Sequence, residues 1–374
     1  MGPDHYDVAV IGAGPAGAAA AVAARGGGAR VLLLDKSGFP RDKPCGDGIA
    51  AEAIDVLAGL GVTGVTDGYP PVARLRLVGP GGATVARPLP RPAHDIPRRV
   101  FDARLVRAAR AAGAELRKHH VRRLRDDGHR VRIDDAFTAD VVIGADGAGS
   151  TARRMLGHPV NPPGHRAIAI RGYAPSDSTE QVIVTTSARW PAYAWSFPIG
   201  DGTANVGYGE VLRGRPLSRA YLLDRLHHLL PGSAPIDLRA HHLPLSTRRP
   251  PPAAGRVLLA GDALSLINPF TGEGIFYAVL SGALAGAAAT ADQPAGAYTR
   301  GLHRRLGRHL RHSGVATLLT RQPAVVDAAV RAADADQRVF DRMIDLGLGD
   351  GVFDLRTIGR IAARLATRRL SAGV

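Results

Sequence analysis

Three glycines that could cradle a phosphate follow directly after an apolar segment near the start of this chain. Gly12 allows a sharp turn, Gly14 allows the backbone to approach a pyrophosphate, and Gly17 allows the next helix to pack closely. The N-terminus of that helix offers peptide N–H groups and a positive dipole end to phosphates. A second apolar segment ends at Asp35, about 20 residues downstream, where an acid binds ribose hydroxyls. The pattern therefore predicts a dinucleotide site.

Two later segments favour FAD over NAD as the dinucleotide, and Asp35 disfavours the 2′-phosphate of NADP. An apolar strand at 141–143 runs into Gly144, Ala145 and Asp146, and another at 257–259 runs into Gly261 and Asp262. FAD is long enough to collect contacts from such distant segments, whereas an NAD site needs one compact unit. We expect Asp262 to accept a hydrogen bond from a ribityl hydroxyl.

The segment 269–275 is predicted to begin a helix that points at the pyrimidine end of the flavin. It carries Gly272, Gly274 and Ile275, and the glycines let the backbone come close to a ring. The positive end of the helix dipole favours the negative charge that develops on a reduced flavin. The sequence therefore predicts a flavin environment suited to redox chemistry.

Four blocks of sequence resemble the geranylgeranyl reductase family, within the flavoprotein group that includes para-hydroxybenzoate hydroxylase. They are 12–17, Lys43-Pro44-Cys45-Gly46-Asp47-Gly48, Tyr193-Ala194-Trp195-Ser196-Phe197-Pro198 with 205–209, and 261–274. A further segment, Arg98 with Phe101, Asp102 and Leu105, fits the Arg-x-x-Phe-Asp-x-x-Leu pattern of the group. The first and last blocks are shared by the whole group, while the second and third are narrower and indicate the reductase branch.

The resemblance implies that Cys45 lies in a glycine-flanked loop beside the isoalloxazine. A free cysteine more often behaves as a small buried apolar residue, so a catalytic role for Cys45 is only one of two interpretations. The neighbouring Asp47 could donate a proton. We prefer the interpretation that it caps a helix starting near Ile49.

Tyr193, Trp195 and Phe197 alternate along a predicted strand, which puts their rings on one face. Aromatic rings on a sheet face usually belong to the core. The resemblance implies instead that these rings form the roof of a cavity above the flavin, where an apolar substrate chain would lie. We therefore predict that they bind substrate.

The chemistry that the resemblance implies is reduction of carbon–carbon double bonds in an apolar, isoprenoid substrate by hydride transfer from reduced FAD. The alternative is a monooxygenase or halogenase on the same scaffold, although halogenases carry a Trp-x-Trp-x-Ile-Pro block that Tyr193 and Phe197 do not match. A non-catalytic flavin-binding protein is a third class. The electron donor stays open between NADPH, NADH, ferredoxin and a separate reductase. The predicted cofactor-binding residues are Gly12, Gly14, Ala16, Gly17, Asp35, Lys36, Cys45, Gly46, Arg98, Val121, Asp146, Gly261, Asp262, Gly272, Gly274 and Ile275.

The predicted fold is α/β, with a Rossmann-type FAD-binding domain interleaved with a mostly antiparallel β-sheet substrate domain and followed by a helical tail. The FAD-binding domain takes residues 1–70, 98–160 and 250–297. The substrate domain takes 71–97 and 161–249, and the tail takes 298–374, with breaks at Pro323 and at 347–351.

Composition agrees with a soluble enzyme: hydrophobic residues make up 45% of the 374, ample for a large core. No apolar run reaches the roughly 18 residues that span a bilayer, and a strand starting at Tyr6 leaves no room for a signal peptide. The single cysteine excludes an internal disulfide and predicts a cytoplasmic location. The histidines and the cysteine lack metal-ligand spacing, so no metal is expected.

The formal charge of +15 comes from scattered arginines, since Lys36, Lys43 and Lys118 are the only lysines among 48 basic residues. No nucleic-acid-binding module accompanies them, which argues against a nucleic-acid partner. Contact with an anionic membrane surface is kept as a minor alternative.

Overall fold

Two eight-stranded sheets and a helical tail make up the fold in the computed structural model, which describes residues 3–186 and 191–371. The strands are β1 Asp4–Ile11, β2 Val31–Asp35, β3 Gly48–Ile49, β4 Pro71–Val78, β5 Thr84–Asp95, β6 Glu115–Lys118, β7 Leu124–Asp126, β8 Val131–Ile133, β9 Phe137–Gly144, β10 Arg166–Pro175, β11 Gln181–Thr185, β12 Ala192–Pro198, β13 Thr203–Val211, β14 Ile236–Pro244, β15 Ala253–Ala254 and β16 Val257–Leu259. The helices are α1 Pro15–Gly26, α2 Ala51–Gly59, α3 Arg98–Ala111, α4 Thr151–Met155, α5 Arg219–Leu229, α6 Ile275–Ala289, α7 Pro294–Leu319, α8 Pro323–Ala335, α9 Gln337–Leu348 and α10 Leu355–Ser371.

The first sheet has the strand order β15-β16-β9-β1-β2-β6, and the β7–β8 hairpin joins it through β8. The pairs β16–β9, β9–β1, β1–β2 and β2–β6 are parallel. Val10 in the centre of β1 pairs with Leu33 on one side and Ile143 on the other, and all three are fully buried. Because parallel strands end at one edge of a sheet, the segments after β1, β2, β9 and β16 meet there.

Helices α1 and α6 cover this sheet and pack against each other at very short range. A Cβ atom at Gly282 would lie 2.0 Å from the Ala16 carbonyl oxygen, and one at Gly286 would lie 2.2 Å from that of Ala20. These positions therefore accept only glycine. The contact fixes α6, whose N-terminus begins at Ile275 as predicted, against the phosphate-binding end of α1.

The second sheet has the order β14-β10-β13-β12-β11-β4-β5-β3 and is antiparallel except for the β4–β11 pair. Its register places Trp195 between Ile183 and Gly207. A Cβ atom at Gly207 would lie 2.2 Å from the Trp195 ring, so this glycine provides the space for the indole. Strand β3 differs from prediction, because it lies in the segment assigned to the FAD-binding domain yet pairs with β5 of the second sheet.

The helical tail folds back onto the second sheet. Val330, Phe340 and Met343 of α8 and α9 form one apolar cluster with Leu75 and Val85 of β4 and β5. The tail begins with α7 at Pro294, four residues before the predicted boundary, and α8 begins at Pro323. Among the described residues, no helix is long and apolar enough to cross a membrane.

Candidate active site

A cleft of about 340 Å³ runs along the edge of the first sheet where β1, β2 and β9 end. Eight of the residues predicted to bind the cofactor line it: Gly12, Gly14, Ala16, Asp35, Lys36, Val121, Asp146 and Asp262. Gly12 has a φ of +95°, and a Cβ atom there would lie 2.4 Å from the Ala145 carbonyl oxygen. The turn after β1 and the end of β9 therefore require glycine at this position.

The structure fits a pyrophosphate at the N-terminus of α1. The nearest protein atom to a Cβ atom at Gly14 would be a guanidinium nitrogen of Arg41, at 3.5 Å. Arg41 lines the cleft, so a longer side chain at position 14 would project into the cleft beside it. The first peptide N–H groups of a helix have no partner within the helix. Together with Arg41 and Lys36, these groups form a donor set suited to a dinucleotide phosphate.

Asp35 and Asp146 both order the loops around the cleft. The Asp35 carboxylate accepts hydrogen bonds from the peptide N–H groups of Ala13 and Ser37, each at 2.8 Å. Asp146 accepts from the Ser150 hydroxyl at 2.5 Å and from the Thr151 N–H at 2.6 Å, and so caps α4. Both acids therefore hold the backbone that faces the cofactor, in addition to lining the cleft.

Gly17 and Gly261, predicted to bind the cofactor, line neither the cleft nor the neighbouring cavity. A Cβ atom at Gly17 would lie 1.7 Å from the Gly12 carbonyl oxygen. Gly261 has a φ of +58°, and its Cβ atom would lie 3.0 Å from the Ala16 side chain. Both glycines support the cleft through close packing of the backbone.

A second cavity, of about 270 Å³, adjoins the cleft, and six residues line both: Pro15, Lys43, Pro44, His241, Asp262 and Ala278. At this junction the Lys43 ammonium lies 3.2 Å from the Asp262 carboxylate. Burial opposes ionisation of Asp262, but the Lys43 charge holds its pKa below the usual range. Burial and the Lys43 charge lower the pKa of His241 to about 4, so its imidazole is neutral.

The second cavity lies between the second sheet, the loop at 43–50, the segment 267–275 and the tail helices α8 and α9. Tyr193, Trp195 and Phe197 all line it, with neighbouring ring centroids 6.0 and 6.5 Å apart. The Trp195 indole N–H donates to the Asn205 side chain at 2.9 Å, and the Tyr193 hydroxyl donates to the Thr271 carbonyl. These bonds fix two of the rings. The remaining wall is mainly aliphatic, with Leu75, Leu77, Ile183, Val326, Met343 and Ile344 among its residues.

Cys45, Gly46, Gly272, Gly274 and Ile275 line this cavity near the aromatic wall. Burial raises the pKa of the Cys45 thiol even though the Arg98 guanidinium lies nearby. The side chain is therefore a neutral thiol near neutral pH.

Arg98 lines the second cavity and does not line the phosphate-side cleft. Its guanidinium makes two hydrogen bonds to Asp102, at 2.7 and 2.9 Å, and both side chains are buried. Arg41 also contacts Asp102, at 3.2 Å. Asp102 thus connects Arg41, which lines the cleft, with Arg98, which lines the second cavity.

The prediction that Asp47 caps the helix near Ile49 is wrong. Helix α2 begins at Ala51 and has no side-chain cap among the described residues. Asp47 has a φ of +65°, and this left-handed conformation turns its carboxylate away from α2. The carboxylate accepts from the N–H of Arg98, the first residue of α3, at 3.2 Å. It also accepts from the Tyr173 hydroxyl at 2.6 Å.

Several residues of the site were missed by sequence reasoning. Lys43 carried a usable signal, as one of three lysines in an arginine-rich chain, inside a block already singled out. His241 carried none. Its Nε2 atom is buried at the junction of the cavities and has no hydrogen-bond partner in the described ranges 3–186 and 191–371. The tail helices were recognised as helices, but nothing local indicated that they wall the cavity.

Possible metal ligands come together away from the site, at the amino end of β1. Ligand atoms of His5, Asp7 and Asp140 lie within 4.8 Å of one another. The Asp7 carboxylate already accepts from the Arg30 N–H at 2.6 Å, and His5 contacts Thr138 at 3.2 Å. These contacts account for the cluster as part of the protein's own hydrogen bonding.

Comparison with known proteins identifies FAD as the cofactor. Residues 5–177 match the FAD binding domain family. The menaquinone reductase of Mycolicibacterium smegmatis is 35% identical over 308 residues, which cover 75% of each chain. The digeranylgeranylglycerophospholipid reductase 1 of Methanopyrus kandleri is 33% identical over 308 residues, 75% of this chain and 80% of that protein.

Solved structures share the fold. A geranylgeranyl bacteriochlorophyll reductase-like protein from Thermoplasma acidophilum superposes with a TM-score of 0.81 at 22% identity, over the full length of both chains. A flavin-dependent brominase superposes with a TM-score of 0.69 at 19% identity, over 98% of this chain and 99% of that one. At such identities the structural similarity shows the fold alone. The choice between reduction and halogenation therefore rests on the relatives found by sequence, which are named reductases.

Proposed function

Because the chain belongs to the geranylgeranyl reductase family of FAD-dependent oxidoreductases, we propose that it saturates carbon–carbon double bonds of an isoprenoid substrate. The observation that carries this proposal is the continuity of the cofactor cleft with an apolar cavity walled by aromatic and aliphatic side chains. An isoprenoid chain has no charge to bind, so its affinity must come from buried apolar surface, at ~25 cal/mol per Å². The cavity offers that kind of surface.

When bound, reduced FAD supplies the hydride. The protein's own groups have three tasks. The N-terminus of α1, with Gly14 and Arg41, would hold the pyrophosphate, and Asp35 and Val121 would hold the adenosine end. At the junction, Lys43 and Asp262 would hold the ribityl and ring portion. The position of these residues along the cleft supports the assignments.

In the proposed reaction the aromatic wall positions the alkene and excludes water. Tyr193 and Trp195 are tethered by their polar atoms, so their ring faces stay toward the cavity without a buried unpaired donor. Such faces also tolerate positive charge that develops on a carbon during reduction. Cys45 enters this scheme as a neutral thiol that packs at the flavin end of the cavity.

The test is an anaerobic turnover with a panel of isoprenoid alkenes. The FAD-loaded protein is photoreduced, which makes the result independent of the natural electron donor, and the products are examined by mass spectrometry. A gain in mass of two hydrogen atoms supports reduction. A gain of one oxygen atom or of a halogen, seen only when air or halide is supplied, overturns it in favour of the oxygenase or halogenase alternative.

We further propose that α7 contacts an anionic lipid surface. Val315, Leu318 and Leu319 are 56%, 57% and 57% exposed, which is unusual for aliphatic side chains. Arg311 and Arg308 lie one and two turns before Val315 on the same side of the helix and are also exposed. Each such cation adds about 1 kcal/mol near anionic lipid. The next residue along, Thr320, lines the substrate cavity, so a docked membrane would lie beside it.

Sedimentation with vesicles tests this contact. Wild type should bind vesicles that contain phosphatidylglycerol and should not bind vesicles of phosphatidylcholine alone. The double variant Leu318→Ser, Leu319→Ser should lose binding, while Ile236→Ser, which removes a 68% exposed side chain on β14, should keep it. The proposal is rejected if wild type does not bind the vesicles. If wild type is then found to be a dimer and the double variant a monomer, the surface is a contact between protein chains.

A further inference from the structure

Two buried carboxyl groups lie at or just behind the wall of the substrate cavity, and the scheme above uses neither. Asp47 and Asp95 are 0% and 1% exposed. The β3–β5 register pairs Asp95 with Gly48, the residue after Asp47, and the Asp95 carboxylate would lie 3.4 Å from a Cβ atom on Gly48. Asp47 and Gly48 both line the cavity. The two acids therefore share one small region beside the cavity.

The hydrogen bonds of the two acids differ. Asp47 accepts from the Tyr173 hydroxyl at 2.6 Å, from the Asn205 amide at 2.8 Å and from the Arg98 N–H. Asp95 accepts only the Gln181 amide, at 2.7 Å on Oδ1, while its buried Oδ2 has no partner in the described part of the chain. A carboxylate oxygen in that position is costly to ionise, so a proton is expected on it.

Electrostatics agree with this geometry. Burial, with a smaller effect of the nearby Asp47 carboxylate, raises the pKa of Asp95 to about 8 against the opposing hydrogen bond from Gln181. Burial also raises the pKa of Asp47, to about 6, against the opposing effects of Tyr173 and Asn205 and of the more distant Arg171 and Arg98 charges. Near neutral pH the pair therefore holds one proton.

We propose that Asp47 and Asp95 form the acid of this active site, with Asp47 presenting a carboxyl at the cavity wall and Asp95 behind it retaining the proton that the pair shares. The proposal rests on the proposed reduction, in which one alkene carbon receives a hydride, with its electron pair, from reduced FAD. The other carbon then takes the shared proton from Asp47, the member of the pair that lines the cavity: its O–H bond breaks, a C–H bond forms, and the electron pair of the O–H bond stays on the Asp47 carboxylate. Tyr173, which is half-buried and bonded to Asp47, offers the route by which a proton returns from solvent.

Other acidic groups around the cavity are less suited to this role. The Cys45 thiol and the Tyr193 hydroxyl have pKa values raised mainly by burial, which makes both weak acids. Glu210 accepts hydrogen bonds from the Tyr208 and Tyr221 hydroxyls. Glu273 is the strongest competitor: burial raises its pKa to about 7, but it accepts from the N–H of Phe276 at the start of α6. That bond favours the carboxylate form at a helix N-terminus.

Single-turnover kinetics test the assignment. Photoreduced protein is mixed anaerobically with an alkene substrate, and flavin reoxidation and the saturated product are followed between pH 5 and 9. Asp47→Asn and Asp95→Asn should each slow the step by roughly 10²–10⁴-fold, the usual contribution of a general acid, with FAD content unchanged. Wild type should lose rate as the pH rises past about 8, and Asp95→Asn should not show that fall. Asp327→Asn, which alters a buried α8 carboxylate that accepts a hydrogen bond from the Gly81 N–H, is the control and should keep the wild-type rate.

Infrared difference spectroscopy gives a second readout, of the protonation state itself. The carbonyl band of protonated carboxylic acids should be weaker in Asp95→Asn than in wild type at pH 7, because the contribution of Asp95 is lost. The proposal is overturned if that band is unchanged in the variant, if both variants react at the wild-type rate, or if Glu273→Gln alone removes the pH dependence. Failure of the proposed function would look different, because wild type itself would then give no saturated product while the infrared band remained.

Discussion

Replacing Asp95 with asparagine should change how the stability of the protein depends on pH. In the unfolded chain this carboxyl ionises with a pKa of about 3.8, whereas burial raises its pKa in the folded protein to about 8. Between pH 5 and 7 the folded state therefore binds one proton more than the unfolded state. The free energy of unfolding then falls by about 1.4 kcal/mol for each unit that the pH rises. A salt-bridged aspartate has the opposite effect, because its pKa is lowered in the folded state. Over these two units Asp95 removes about 2.7 kcal/mol from the free energy of unfolding.

Asparagine does not titrate, so the variant lacks this slope. The amide also places an N–H group where Oδ2 lies unpaired, but that penalty is the same at every pH and cancels in the comparison. With an unfolding entropy of about 2.1 cal/mol/K per residue over 374 residues, 2.7 kcal/mol corresponds to about 3 °C. We expect the Tm of Asp95→Asn, relative to wild type, to rise by about 3 °C from pH 5 to pH 7 in scanning calorimetry. A difference that stays constant or falls would show that Asp95 is ionised in the folded protein.

Four further substitutions test the cofactor and substrate sites. Gly14→Val should fold but lose FAD, measured by flavin absorbance after purification, because its side chain would enter the cleft beside Arg41; stoichiometric FAD would refute the phosphate site. Asp262→Asn should weaken FAD binding, measured by titration of the apoprotein, because it weakens the pairing with Lys43 at the junction. Trp195→Ala should leave FAD content nearly normal and reduce turnover of long alkenes, since it removes a buried wall of the cavity; unchanged kcat/KM would contradict that role. Cys45→Ser should keep FAD and most of the turnover if the thiol has only a packing role. Kinetics and products equal to those of wild type would show that the thiol has no chemical role.

The cofactor half of the site could be predicted because its determinants are local. The order strand, glycine turn, helix, strand and acid lies within the first 35 residues, and each step has its own steric reason, such as the positive φ of Gly12. The aromatic strand was predictable for the same reason, since alternation alone puts Tyr193, Trp195 and Phe197 on one face.

The remaining parts of the site depend on contacts between distant segments. The conformation of Asp47 follows from the pairing of β3 with β5, and a two-residue strand leaves almost no pattern in sequence. Asp95 and Gln181 lie 86 residues apart and meet only because β5 and β11 flank β4. Likewise, the spacing of apolar residues in α8 and α9 predicts helices but not the surface on which they pack.

The fact that α8 and α9 wall the cavity has a consequence for the order in which the protein is made. Every residue that lines the cofactor cleft has been synthesised once the ribosome has passed Ala278, whereas α8 begins only at Pro323. The far wall of the substrate cavity is therefore the last part of the site to be made. Packing of the tail onto the second sheet completes the cavity, and it can only follow synthesis of the whole cofactor cleft.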